Sequence, residues 1–257
     1  MKTQNLGFIG GGRITKIFLQ AFKNKSVGFK SIVVYDPNTE TQNALKKQFP
    51  EIQIVDSVTL PAKQELVILA VHPPMMMETL NSIKDVIAKD ALILSLAPKI
   101  TIAKMSATIS VSSVIRMIPN ATSFINEGYN PVSFHSSISK NDKQLFIDTF
   151  KVLGNTFEVE ETKLEAYAIV SAMLPTYFWF QWKELQDIGV RMGLDEKECK
   201  ETMKETLKAS IEIFYNSGLS SDEVIDLIPV KPIGETESQV KEIYQSKLMG
   251  LFAKIKP

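Results

Sequence analysis

Along the first half of the chain, short continuously apolar runs alternate with segments whose apolar residues recur at helical spacing. Residues 6–9, 31–35, 52–55, 66–71, 91–96 and 114–117 are runs of the first kind. A strand apolar at every position suits a parallel sheet covered on both faces. Ile14, Ile17, Phe18, Ala21 and Phe22 mark one face of a helix, and 43–49 and 75–87 read as further crossovers. One more helix is expected over 140–153, closed by Gly154. This alternation predicts a doubly wound α/β domain with a parallel sheet over residues 1–156.

From residue 157 the pattern changes. Residues 160–255 keep helical periodicity and carry little strand signal. Pro175 breaks the first stretch, and a long helix is expected from there to Met192, ended by Gly193. Asp195 and Glu198 have the spacing of a capping box, with Cys199, Met203, Leu207, Ile211 and Phe214 following on one face. Gly218 is placed to end that helix. Thr236 with Gln239 repeats the cap spacing before Val240, Ile243, Tyr244, Leu248 and Leu251. An all-helical second domain over 157–257 is the expectation.

Composition narrows the possible partners. Of the 257 residues 44% are apolar, as in an ordinary globular protein. Basic and acidic residues balance at 29 each, so no net field draws nucleic acid or an anionic membrane, and neither partner is expected. Cys199, the single cysteine, excludes an internal disulfide and leaves no cysteine cluster for a metal. The N-terminus lacks a signal-peptide layout, and the apolar runs fall far short of the ~18 residues that span a bilayer. A cytoplasmic protein acting on a small molecule is expected, with no metal.

The stretch "GFIGGGRITKIF" carries the first chemistry. Gly10 and Gly12 fit the first two glycines of a dinucleotide fingerprint, between a strand and a helix. Gly10 would permit the tight turn. Gly12 would let a pyrophosphate approach the free N–H groups that open the helix. Thr15 stands where the fingerprint has Gly or Ala. Asp36 closes the second strand, where a carboxylate meets the adenosine ribose and repels a 2′-phosphate. The cofactor is therefore NAD or NADP, with Asp36 favouring NAD. Arg13 reads either as a ligand for pyrophosphate or 2′-phosphate, or as a solvated residue.

"GFIGGGRI", "VILAVHPP", "LILSLAPKITI", "VIRMIPN" and "ELQDIGVRMGL" occur in the order and spacing of pyrroline-5-carboxylate reductases. The chain resembles that family over almost its whole length. The resemblance implies a Rossmann-type domain followed by a helical dimerisation domain that builds an intertwined homodimer, in some members assembled further. It implies hydride transfer from NAD(P)H to a cyclic imine carboxylate, giving proline. It also assigns Gly10, Gly12, Arg13 and Ile14 to the pyrophosphate. Ala70, Val71, His72, Pro73 and Ala97 fall to the nicotinamide ribose, and Pro119 and Asn120 to the nicotinamide.

On the substrate side the sequence departs from the family. The family's Ser-Gly-Ser-Gly-Pro-Ala-Tyr loop is "SAMLPTY" here. Ser171, Pro175 and Tyr177 remain, Ala172, Met173 and Leu174 replace the Gly-Ser-Gly core, and Ala168 replaces a Thr. Glycine backbone and a serine hydroxyl would suit a carboxylate, and they are replaced by bulk. Ser-Pro-Gly-Gly-Thr-Thr becomes "KPIGET", with Pro232, Gly234 and Thr236 matching and Lys231 new. Ser171, Thr176, Lys231 and Thr236 are the substrate-binding candidates. Lys231 would offer a point charge to an anionic substrate, or is an ordinary surface lysine.

His72 replaces the family's Lys and, with Asn120, is a candidate for catalysis. His72 would donate a proton near neutral pH, or only hydrogen-bond cofactor or backbone. Lys99 reads as a carboxylate partner or as solvated, and His135 as structural. Residues 177–182, "YFWFQW", read as buried helix and dimer interface. Three functions stay open: a pyrroline-5-carboxylate reductase, a related reductase for another imine or carbonyl compound, and a dinucleotide-binding sensor or assembly protein without catalysis.

Overall fold

The computed structural model describes residues 5–257. Two compact units form: residues up to 173 with Phe252–Pro257, and Leu174–Leu251. The first unit is built on one eight-stranded sheet in the order β3-β2-β1-β4-β5-β6-β7-β8. Its first six strands, β1 (Asn5–Ile9), β2 (Ser31–Tyr35), β3 (Gln53–Val55), β4 (Leu66–Leu69), β5 (Leu92–Ser95) and β6 (Val114–Met117), are all parallel. The crossovers between them are α1 (Arg13–Asn24), α2 (Thr39–Gln48), α3 (Thr59–Ala62), α4 (Pro73–Ile83) and α5 (Ile102–Ile109).

The central strands are apolar throughout because both faces are covered. In β4, Leu66 and Ile68 join one core cluster with Phe8, Phe18, Phe22 and Phe150. Val67 and Leu69 point to the other, with Met76, Leu80 and Met105. Each such side chain stabilises the fold by roughly 1.5–3 kcal/mol through area removed from water.

Two strands beyond β6 went unread in the sequence. β7 (Gly128–Phe134) pairs antiparallel to β6, and β8 (Gly154–Glu158) runs parallel to β7. β7 carries Asn130 and Pro131 in its middle, and β8 carries Asn155, Thr156 and Glu158, so neither shows an apolar run. The helix expected over 140–153 is α6 (Lys140–Phe150) followed by a 3₁₀ turn. The domain boundary expected at 156 lies inside β8. The compact unit continues through α7 (Leu164–Tyr167) and a π-helical stretch, Ala168–Ala172.

The second unit is helical: α8 (Leu174–Arg191), α9 (Glu196–Asn216), α10 (Ser221–Asp226) and most of α11 (Glu237–Ile255). The capping box at Asp195 and Glu198 is formed in both directions. Among the described residues no such box is seen at α11: Thr236 lies in the 3₁₀ turn Gly234–Thr236 that leads into the helix, and its Oγ1 donates to the Ile233 carbonyl at 2.7 Å. Among the described residues, Cys199 is the only buried one between 174 and 251.

Candidate active site

The strand order reverses between β1 and β4, and the crevice beyond their carboxyl ends is where such sheets bind ligands. Gly10 leaves β1 with φ +104°, and its N–H donates to the Tyr35 carbonyl at 2.8 Å. A Cβ there would stand 2.5 Å from the Ala70 carbonyl oxygen, so only glycine fits between β1 and β4. Thr15 is fully buried and donates its hydroxyl to the Gly10 carbonyl at 2.6 Å. That bond holds the turn from the helix side, and explains why Thr occupies a position usually given to Gly or Ala.

Gly12 is different. It caps α1 with φ −71°, which any residue adopts, and a Cβ there would meet nothing within 4 Å. Nothing inside the protein requires glycine at that position. No side chain caps α1 and no acidic residue stands in its first turn, so the helix opens towards a bound anion. The residues therefore fit a dinucleotide pyrophosphate.

Around this helix end lies a cleft of about 540 Å³. Gly12, Arg13 and Ile14 form one wall, Ala70, Val71, His72 and Pro73 after β4 the second, and Leu96, Ala97, Pro98 and Pro119 the third. Nearly all the cofactor residues named from the sequence meet here. His72 is exposed at the start of α4 and makes no capping side-chain hydrogen bond. A smaller hollow of about 260 Å³ joins Gly11, Gly12, Arg13 and Lys16 to Thr41 on α2.

Asp36 and Asn120 lie outside the cleft lining and have partners of their own. Asp36 Oδ2 accepts the Gly11 N–H at 2.7 Å and Oδ1 accepts the Asn38 N–H at 2.9 Å, so the carboxylate pins the glycine turn. Each oxygen keeps a lone pair for a further donor. Asn120 is buried, and its Oδ1 accepts from the Thr122 N–H and hydroxyl at 3.0 and 2.8 Å. Its Nδ2 donates to Ser171 Oγ at 3.2 Å, while its N–H donates to Asn130 Oδ1 at 2.9 Å.

The rewritten loop is closed on itself. The Met173 N–H donates to the Ala168 carbonyl at 3.0 Å, completing a π-helical turn, and Met173 packs with Ile118, Leu164 and Ala168. Thr176, Lys231 and Thr236 belong to the helical unit and are exposed. In that unit burial pushes the Tyr177 phenol above its ordinary pKa, with Tyr244 adding to the shift, so it stays protonated at neutral pH. Trp179 and Trp182 line a groove of about 510 Å³ with Met203, Leu207 and Ile211, rather than being buried within the unit. His135 holds Ser137 through Nδ1, away from the cleft.

One group escaped sequence reading. Arg116 on β6 is fully buried and paired with Glu161, at 2.9 Å, and with Glu165. The partners stand 45 and 49 residues away, so no local pattern announces them. Glu165 Oε1 also accepts the Lys99 N–H at 3.1 Å, and Glu161 Oε1 the Ile102 N–H at 2.7 Å.

Residues 5–99 match the family of NADP oxidoreductases described as coenzyme F420-dependent. Fold and cleft define a nicotinamide-dinucleotide-dependent oxidoreductase. Residues 161–255 match the pyrroline-5-carboxylate reductase dimerisation family. A Haemophilus influenzae pyrroline-5-carboxylate reductase is 28% identical over 80% of this chain and 77% of that protein. The Escherichia coli enzyme is 23% identical over 93% of this chain and 89% of its own. A Plasmodium falciparum pyrroline carboxylate reductase solved with NADP shares the fold, with TM-score 0.74 and 21% identity over 99% of this chain and 95% of that one. Both family matches, these relatives and the shared fold together support the pyrroline-5-carboxylate reductase family for this chain. No helix among the described residues is long and apolar enough to cross a membrane.

Proposed function

We propose that this chain reduces a small cyclic imine carboxylate with a reduced nicotinamide dinucleotide, the pyrroline-5-carboxylate reduction for which its relatives are named, in proline biosynthesis. The observation that carries the reading is Gly12. It stands at an uncapped helix start, its missing side chain serves no internal packing, and it faces a cleft lined by the loops after β1, β4, β5 and β6. The N–H groups opening α1, with Arg13, hold the pyrophosphate. Ala70, Val71, His72 and Pro73 border the ribose, while Ala97, Pro98 and Pro119 wall off the nicotinamide face. The reduced nicotinamide, when bound, supplies the hydride. Because the imine reaches the site protonated, the residues mainly orient the partners and exclude water. His72 bonds to cofactor or backbone in this scheme. Asn120 acts by fixing the Pro119 turn through Ser171, Thr122 and Asn130.

For the finer choice of cofactor we favour NAD. Asp36 places a carboxylate at the end of β2 beside the glycine turn, where a 2′-phosphate would be repelled. For assembly we favour a homodimer. Phe180, Tyr215 and Met249 are 68%, 75% and 62% exposed on α8, α9 and α11, a density of uncovered apolar side chains that a second copy would bury.

A second reading is favoured by one observation. The Met173 N–H, which a carboxylate pocket would use, is taken by the Ala168 carbonyl, and the Ser171 hydroxyl accepts from Asn120 Nδ2 while its own proton faces the Tyr129 carbonyl at 3.5 Å. A related imine or carbonyl compound is then the substrate. Loss of reduced-cofactor absorbance with pyrroline-5-carboxylate, run with NADH and NADPH, tests the choice. Turnover supports the first reading. Cofactor binding without turnover overturns it, and turnover of another member of a panel of cyclic imines and 2-oxo acids establishes the second.

A further inference from the structure

The Arg116 cluster lies directly under the loop that walls the nicotinamide end of the cleft, and it is built at some cost. A guanidinium and a carboxylate, with side chains each only 1% exposed, face one another, and Arg116 Nε finds no acceptor. A buried ion pair is weak evidence for stability, since desolvation offsets its attraction. Its placement needs another reason, and the loop supplies one. Between Ala97 and Ile102 the chain turns at Lys99, which holds φ +77°, a left-handed conformation that is unfavourable for a non-glycine residue. The two carboxylates meet the N–H groups on both sides of the bend: Glu165 takes Lys99 and Glu161 takes Ile102. Arg116 in turn fixes both carboxylates from β6, the strand that leads to Pro119.

We propose that Glu165, with Glu161 and held by Arg116, is a positioning residue that clamps the 97–102 loop in its bent form, so that Ala97 and Pro98 are set against the cofactor before it binds. The clamp acts through backbone N–H groups and touches neither cofactor nor substrate. It ties the start of the second sequence half, at α7, to the cofactor wall, a coupling within the first compact unit. The inference rests on the dinucleotide reading of the cleft.

The test is calorimetric titration of NADH and NADPH into the full chain, alongside melting temperature. Glu165→Leu keeps the bulk, removes the acceptor and leaves Arg116 paired with Glu161. It is expected to weaken cofactor binding about tenfold, the loss of a buried hydrogen bond to a charged group. Glu165→Gln, which keeps an oxygen for the Lys99 N–H, is expected to stay within about threefold of the parent. Adding Lys99→Gly to Glu165→Leu removes the left-handed penalty and is expected to recover most of the affinity without recovering the melting temperature. If Glu165→Leu does not fold, the more exposed Glu161→Leu tests the same clamp at Ile102, with a loss of about threefold expected. Lowered melting temperature with unchanged affinity in the leucine variants overturns the proposal, as does failure of Lys99→Gly to restore binding. If the parent chain itself binds neither dinucleotide, the underlying reading fails, which is a different result from unchanged affinity in the variants.

Discussion

Two glycines two positions apart do different work, and mutation should separate them. Gly10 is demanded by the fold: its φ is +104° and a Cβ would press on the Ala70 carbonyl. Gly10→Ala should lower stability by about 1–3 kcal/mol, read from denaturant melts. Gly12→Ala should change stability by less than about 1 kcal/mol, because its space is open and its backbone ordinary. It should nonetheless weaken dinucleotide binding about tenfold, since the lost space is the ligand's. Equal destabilisation by both changes would return Gly12 to a structural role. His72→Gln should lower kcat by less than about tenfold; a loss nearer about 10²–10⁴ with a flattened pH profile would make His72 the proton donor. These glycines were legible because their local context is written in consecutive residues. The bonds of Asn120 to Ser171, 51 residues away, and of Arg116 to its carboxylates were not, since only the fold brings the partners together.

At the level of elements, what was readable depended on how much of the code is local. The six parallel strands announce themselves because burial on both faces leaves no polar position to blur the run, as Leu66–Leu69 shows. β7 and β8 stayed hidden because Pro131 and the polar residues of an edge strand look like loop. The π-helical stretch before α8 was equally invisible, since its unusual bond is set by how Met173 packs on Ile118 and Leu164. Caps show both outcomes. Asp195 and Glu198 form their box as the spacing predicts, whereas Thr236 turns its hydroxyl to Ile233. Asp195→Ala should accordingly cost about 1 kcal/mol in chemical denaturation, while Thr236 offers no such capping contribution to α11.

At the scale of the whole molecule, the helical unit buries little of its apolar surface within itself. It leaves Phe180, Met192, Tyr215 and Ile233 largely in water, and among the described residues only Cys199 is buried there. If a second copy covers these faces, the melting temperature rises with protein concentration, as mass action requires for an associating chain. Phe180→Asp should then shift light-scattering mass towards the monomer. A concentration-independent melt at monomer mass would remove the dimer. The central claim concerns hydride transfer, and an isotope follows it directly. Pyrroline-5-carboxylate is mixed with the protein and NADH deuterated at the transferable C4 position, and the proline formed is examined by mass spectrometry and NMR. Deuterium is expected on the former imine carbon, matched to the cofactor oxidised. Cofactor that binds but keeps its deuterium, with no proline formed, would contradict that claim.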